Sequence, residues 1–168
     1  MPEAFLPREI LRVLEEHQVR YVLIGGLAAT LHGSPHLTQD VDITPERSRE
    51  NLARLSDALR AMQAKVRVRG VDEPLPFNHD AESLGGVAVW NLNTLYGNFD
   101  ISFVPTGTEG FDDLRRDAVT LDVAGLTVVV ASLGDIIRSK QAADRDKDRL
   151  TLPTLRELLA NRDAEPGT

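Results

Sequence analysis

Cysteine is missing from all 168 residues, so no disulfide can staple this fold or link it to a partner, and no thiolate can hold a metal. That absence fits a reducing compartment, and the expected location is the cytoplasm. No apolar run approaches the length needed to span a bilayer. Met1 to Leu6 lacks the basic residues that open a signal peptide, so the start reads as mature protein and no membrane contact is expected. Basic charge is also in short supply. Nineteen Lys and Arg against 26 Asp and Glu leave a formal net charge of -7, whereas proteins that grip nucleic acid by broad phosphate neutralisation are usually basic. A nucleic-acid partner would have to be met through a local basic patch.

What remains is an ordinary globular composition, 42% hydrophobic and 27% charged, in a chain suited to one domain. The pattern implies a single domain over residues 1–163 and a frayed polar tail over 164–168. Pro7 to His17 carries Ile10, Leu11 and Leu14 at helical spacing, with Pro7 in the first turn. Val19 to Ile24 reads as a buried strand, closed by Gly25-Gly26 and followed by a short helix over 27–31. Gln39 to Thr44 alternates as a second strand, and Pro45 to Met62 reads as a long helix burying Leu52, Leu55 and Leu59. A short strand with a loop is expected within 66–76. Strands follow over 86–92 and 98–104, then a hairpin of 118–122 and 126–131 about Ala124-Gly125. Ser132 caps a helix running through Lys140, with Asp135 at its third position, and a last helix spans about 151–161. The expected class is α+β (α/β mixed): a mixed sheet with helices packed on it and a short helical C-terminal part.

Three features carry chemistry. Gly25 and Gly26, between a strand and a helix, let backbone approach a ligand without Cβ interference, and the helix start favours a phosphate. Asp40 and Asp42 lie two apart on a strand, so both carboxylates share one face. Like charges held that close repel unless a divalent cation sits between them, and Asp is depleted in strands. A solvated edge is the bland alternative. Asp100, in Asn98-Phe99-Asp100-Ile101-Ser102, points away from the apolar face of Phe99, Ile101 and Phe103. Beside the first pair it would complete a carboxylate trio able to bind metal or take a proton from an attacking hydroxyl.

Taken together, a glycine pair, an Asp-x-Asp strand and a later strand Asp resemble the signature of the DNA polymerase β-like nucleotidyltransferase superfamily. Tyr21-Val22-Leu23-Ile24-Gly25-Gly26-Leu27-Ala28-Ala29, then Gly33 and Asp40-Val41-Asp42, is similar to the bacterial AbiEii-type group with its MenT-like toxins. Ser139-Lys140 and Arg145-Asp146-Lys147-Asp148 stand where that group has a helix lysine and a downstream aspartate. The resemblance implies a nucleotidyltransferase fold and transfer of NMP from an NTP. Mg2+ (or Mn2+) would be held by Asp40, Asp42 and Asp100, with Lys140 on the triphosphate and Asp148 orienting Lys140 or assisting the acceptor. It implies tRNA or another RNA as acceptor, and a toxin role with a cognate antitoxin. Protein or self-nucleotidylation, and a non-catalytic nucleotide-binding or antitoxin-like module, are the alternatives. Many members carry Gly-Ser where this chain has Gly25-Gly26, and Thr38 is the candidate substitute hydroxyl. A small-molecule acceptor is disfavoured, since so short a chain shows no second substrate domain.

Elsewhere, His32 and His36 have a His-x3-His spacing, but Gly33 and Pro35 break the helix a zinc site would need. A phosphate or base contact from this loop is the better expectation. Arg138, Lys140, Arg145, Lys147 and Arg149 form the densest basic run, either a solvated face among Asp144, Asp146 and Asp148 or the rim of an acceptor site. Arg47, Arg49, Arg54, Arg60, Lys65, Arg67 and Arg69 make a second candidate patch, with a solvated face as its bland alternative. Trp90 reads as core.

Overall fold

The computed structural model describes residues 4–164. Its centre is a seven-stranded mixed sheet in the order β3-β4-β5-β2-β1-β7-β6, as the α+β pattern implied. The strands are β1 (Tyr21–Ile24), β2 (Asp40–Pro45), β3 (Lys65–Val66), β4 (Val89–Thr94), β5 (Gly97–Ser102), β6 (Val119–Val123) and β7 (Leu126–Val130). Two pairings are parallel, β2 with β5 and β1 with β7, and the rest are antiparallel.

One face of the central strands is sealed. Val41 and Ile43 of β2, Phe99 and Ile101 of β5 and Leu92 of β4 are fully buried. They join Ile10, Leu11 and Leu14 of α1 (Pro7–Glu16) and Leu52, Leu55 and Leu59 of α3 (Arg49–Ala61) in one core. Asn51 locks α3 in place: its side chain accepts from the Arg20 N–H at 2.7 Å and donates to the Arg20 and Glu46 carbonyls, each at 2.8 Å. Alternation turns Asp40, Asp42, Asp100 and Ser102 the other way, towards α2 (Gly25–Leu31), α6 (Leu133–Ala143) and α7 (Asp146–Ala164).

Several boundaries depart from the sequence reading. The long helix starts at Arg49 rather than Pro45, because Pro45 ends β2 and Ser48 accepts the Asn51 N–H as N-cap. The glycine pair belongs to α2 itself, which starts at Gly25 instead of Leu27. Strand β4 starts three residues and ends two residues later than expected, and the turn into β5 is Leu95-Tyr96. Two short helices were not anticipated, α4 (Ala81–Gly85) and α5 (Phe111–Asp117). The first carried a readable signal, the reciprocal capping box of Asp80 and Ser83. The last helix begins at Asp146, five residues before the expected Thr151, and runs through Pro153. Pro153 falls inside the helix, whose first turn Asp148 closes by accepting the Arg145 N–H at 3.1 Å. Ala164 ends this helix rather than opening a frayed tail, and the remainder of that tail lies outside the described residues.

The hairpin of β6 and β7 turns on Ala124 and Gly125, both at positive φ, as its sequence implied. Trp90 is half-buried, stacks on Phe77 and donates its indole N–H to the Leu84 carbonyl at 3.0 Å, a packing role.

Candidate active site

Parallel pairing puts Asp42 of β2 level with Asp100 of β5, while Asp40 precedes them on the same face. One carboxylate oxygen from each of Asp40, Asp42 and Asp100 lies within 4.8 Å of the others. The sequence-level pair and the later strand Asp therefore do converge. Burial first, then the Asp40 and Asp100 charges, push the Asp42 carboxyl up to about 8, with Lys147 acting against them. Burial likewise raises Asp100, opposed chiefly by Arg67. Such mutual repulsion is relieved by a cation, and an all-oxygen donor set suits Mg2+ or Mn2+. The residues present fit a divalent metal.

Gly25 and Gly26 explain how backbone reaches this cluster. Gly25 sits at φ +72°, and a Cβ there would overlap the Asp42 carboxylate. A Cβ on Gly26 would lie 2.9 Å from Thr38 Oγ1 and 3.1 Å from Thr38 Cβ. Thr38 thus fills the space a side chain at position 26 would use. Its hydroxyl lies 3.3 Å from Asp40 Oδ1 and 3.2 Å from the Asp40 carbonyl.

Across the cleft, Lys140 near the end of α6 meets Asp148 in the first turn of α7, Nζ to Oδ1 at 3.3 Å. Asp148 is completely buried and also takes Arg145 through Nε at 2.7 Å. Burial alone would raise its carboxyl. The Arg145 side chain and N–H, with the charges of Arg145 and Lys140, outweigh that and hold it below the usual carboxylate range. Asp148 is therefore an anchor, shut off from the cleft, that fixes where Lys140 and Arg145 stand. Its carboxylate does not line the cleft.

All these groups except Asp148 and Arg67 line one cleft of about 750 Å³, together with Ser34, His36, Gln39, Asn91, Ser102, Thr108, Asp135 and Lys147. Of the histidines, His36 lines the cleft. His32 is buried elsewhere, its Nε2 at 2.8 Å from the Ala131 carbonyl and its Nδ1 at 2.8 Å from Arg162, so the two form no metal pair. From the dense basic run, Lys140, Arg145 and Lys147 reach the cleft. Arg138 is held by Asp113 and Asp135, and Arg149 by Asp144. The second patch is dispersed: Arg47 caps the Gly85 carbonyl, Arg60 holds the His79 carbonyl and Arg67 pairs with Asp100. Arg67 had no signal in its own spacing. Only the β3-β4-β5 register delivers it to the carboxylates.

No protein-family model matches the chain, and no curated protein does. Solved structures are informative. The lincosamide antibiotic adenylyltransferase LnuA, with lincomycin bound, superposes with a TM-score of 0.61 at 15% identity, covering 90% of this chain and 95% of that one. The fold is that of the nucleotidyltransferases. ANT(2″)-Ia, in complex with adenylyl-2″-tobramycin, gives 0.59 at 15% identity over 94% of this chain and 89% of that one. A Thermotoga maritima protein provisionally described as a nucleotidyltransferase gives 0.53 at 19% identity over 92% and 91%. LnuA is matched over nearly its whole length.

Proposed function

We propose that this protein, acting as one domain over residues 1–163, is a metal-dependent nucleotidyltransferase that moves NMP from an NTP to an acceptor. The observation that carries the reading is the meeting of Asp40, Asp42 and Asp100 in a cleft whose other wall presents Lys140, Arg145 and Lys147. Carboxylates for cations and cations for phosphates face each other across a space large enough for a nucleotide and a second ligand.

In this reading Asp40, Asp42 and Asp100 would hold Mg2+ or Mn2+, and the chemistry such an ion would supply is positive charge to offset that developing on the departing pyrophosphate. Lys140, steadied by Asp148, neutralises the triphosphate as a point cation. Gly25 and Gly26 admit phosphate close to the backbone, and Thr38 supplies the hydroxyl that position 26 lacks. In this reading Asp100 would also take the proton of the attacking group as its oxygen bonds to the α-phosphorus and the bond to pyrophosphate breaks.

The AbiEii/MenT-like resemblance points to an RNA end as acceptor, tRNA above all, in a cytoplasmic toxin with a cognate antitoxin. Lys147 and Arg145 at the cleft support it. A small hydroxylated acceptor is the second reading, favoured by the near full-length match to LnuA and ANT(2″)-Ia. Incubating the protein with Mg2+ or Mn2+ and each α-labelled NTP, against total tRNA and against a lincosamide and aminoglycoside panel, separates the two. Label on RNA supports the first reading and label on a small molecule the second. Label on the protein alone indicates self-nucleotidylation, and no label anywhere leaves a nucleotide-binding module without turnover.

A further inference from the structure

Three strands and the residue after a fourth form one continuous row across the sheet. Arg67, just past β3, donates its backbone N–H to the Asn91 carbonyl at 2.8 Å; Asn91 pairs with Asp100, and Asp100 with Asp42. A guanidinium is thus built into the same row as two of the three carboxylates. Arg67 Nη2 contacts Asp100 Oδ1 directly, and the two side chains are 34% and 18% exposed. Arg67 Nε, by contrast, is buried with no hydrogen-bond partner. The side chain is therefore held by its charge on Asp100 and not by a saturated set of hydrogen bonds.

We propose that Arg67 is a resident counter-cation for the carboxylate cluster, exchanging with the divalent cation for Asp100. This rests on the reading of Asp40, Asp42 and Asp100 as cation ligands. Three carboxylates within 4.8 Å are costly without compensation, and Arg67 supplies one positive charge at the β4 side of the cluster. When Asp100 ligates a cation, two positive groups contend for one carboxylate, and the guanidinium gives way. Arg67 thereby weakens cation binding while keeping the empty cluster folded. It acts through Asp100, as a positioning residue.

The test is Mn2+ binding to the full chain without nucleotide, followed by calorimetry and by the loss of the free-ion paramagnetic resonance signal. Arg67→Gln should tighten the Mn2+ Kd by about tenfold, equivalent to about 1.4 kcal/mol. It should also lower the melting temperature in EDTA and enlarge the upward shift that saturating Mn2+ produces. Arg67→Lys, which keeps the charge without the planar fork, should fall between the two and serves if the Gln variant does not fold. In an Asp100→Asn background the Arg67 effect should shrink, because the contested carboxylate is gone. An Arg67→Gln Kd equal to or weaker than wild type overturns the exchange, a weaker one marking Arg67 as a support that orients Asp100 for the metal. Should wild type bind no Mn2+ beyond what Asp42→Asn binds, the cation reading itself falls first and takes the exchange with it.

Discussion

Asp42 stands between two other carboxylates on the sheet, and its electrostatics give a sharp residue-scale prediction. A carboxyl held at about 8 in the fold keeps a proton that the unfolded chain releases near pH 3.9. Between those values the native state binds more protons, so Asp42 costs stability increasingly as pH rises. Asp42→Asn should therefore raise the melting temperature in EDTA, and by more at pH 8 than at pH 5. The same change should lower nucleotidyl transfer by about 100-fold or more, which is about 2.7 kcal/mol of transition-state stabilisation. Scanning calorimetry at both pH values, with a label-transfer assay, checks the two halves together. Thr38 offers a second prediction. Because a Cβ at position 26 would crowd Thr38 Oγ1, Gly26→Ser alone should raise the KM for NTP. Adding Thr38→Ala removes the oxygen contact and leaves that to Thr38 Cβ, so it should restore KM in part, as the hydroxyl moves from one residue to the other. Steady-state kinetics on the single and double variants decides the matter.

Among the elements, α2 and α7 are tied by a clasp that lies away from the cleft. Arg162 donates to His32 Nδ1 at 2.8 Å and to the His32 carbonyl at 2.7 Å, while His32 Nε2 meets the Ala131 carbonyl. Burial lowers the His32 pKa and the Arg162 charge lowers it further, although the Ala131 hydrogen bond pulls upward. The folded histidine stays neutral where the unfolded one, near 6.5, begins to charge. The unfolded state then binds the extra proton, so stability falls as pH drops below about 6.5. His32→Gln should flatten that part of the slope between pH 7 and pH 5, and lower stability at pH 7.5 by about 1–2 kcal/mol through lost hydrogen bonds. Urea unfolding at stepped pH measures both.

Legibility in the sequence also varied by element. Alternation and turn chemistry placed β2, β5, the Ala124-Gly125 hairpin and the Ser132 cap, because each is set by neighbours close in the chain. Helix α5 and the early start of α7 were hidden, the first by its brevity and the second by Pro153. Within the site, Asp40 and Asp42 follow from their spacing alone. Asp100 and Arg67 join them only through strand pairing between residues dozens of positions apart, which local periodicity does not encode.

At the scale of the whole molecule, charge and topology divide the labour. A chain of net charge -7 concentrates Lys140, Arg145 and Lys147 on one wall of its cleft, opposite the carboxylates. The parallel β2-β5 pairing builds the acidic wall, and the junction of α6 and α7, pinned by buried Asp148, builds the basic one. No helix among the described residues is long and apolar enough to cross a membrane. The match to nucleotidyltransferase structures concerns this architecture, whereas the proposed reaction rests on the two walls acting on one triphosphate. That claim is tested most directly by following the label from an NTP carrying it at the α- or the γ-phosphate, in the presence of Mg2+ and an accepted acceptor. The account predicts that α-label joins the acceptor and γ-label leaves as pyrophosphate, and that both events vanish in Asp42→Asn. Transfer of γ-label to the acceptor, or α-label transfer undiminished in Asp42→Asn, would contradict it.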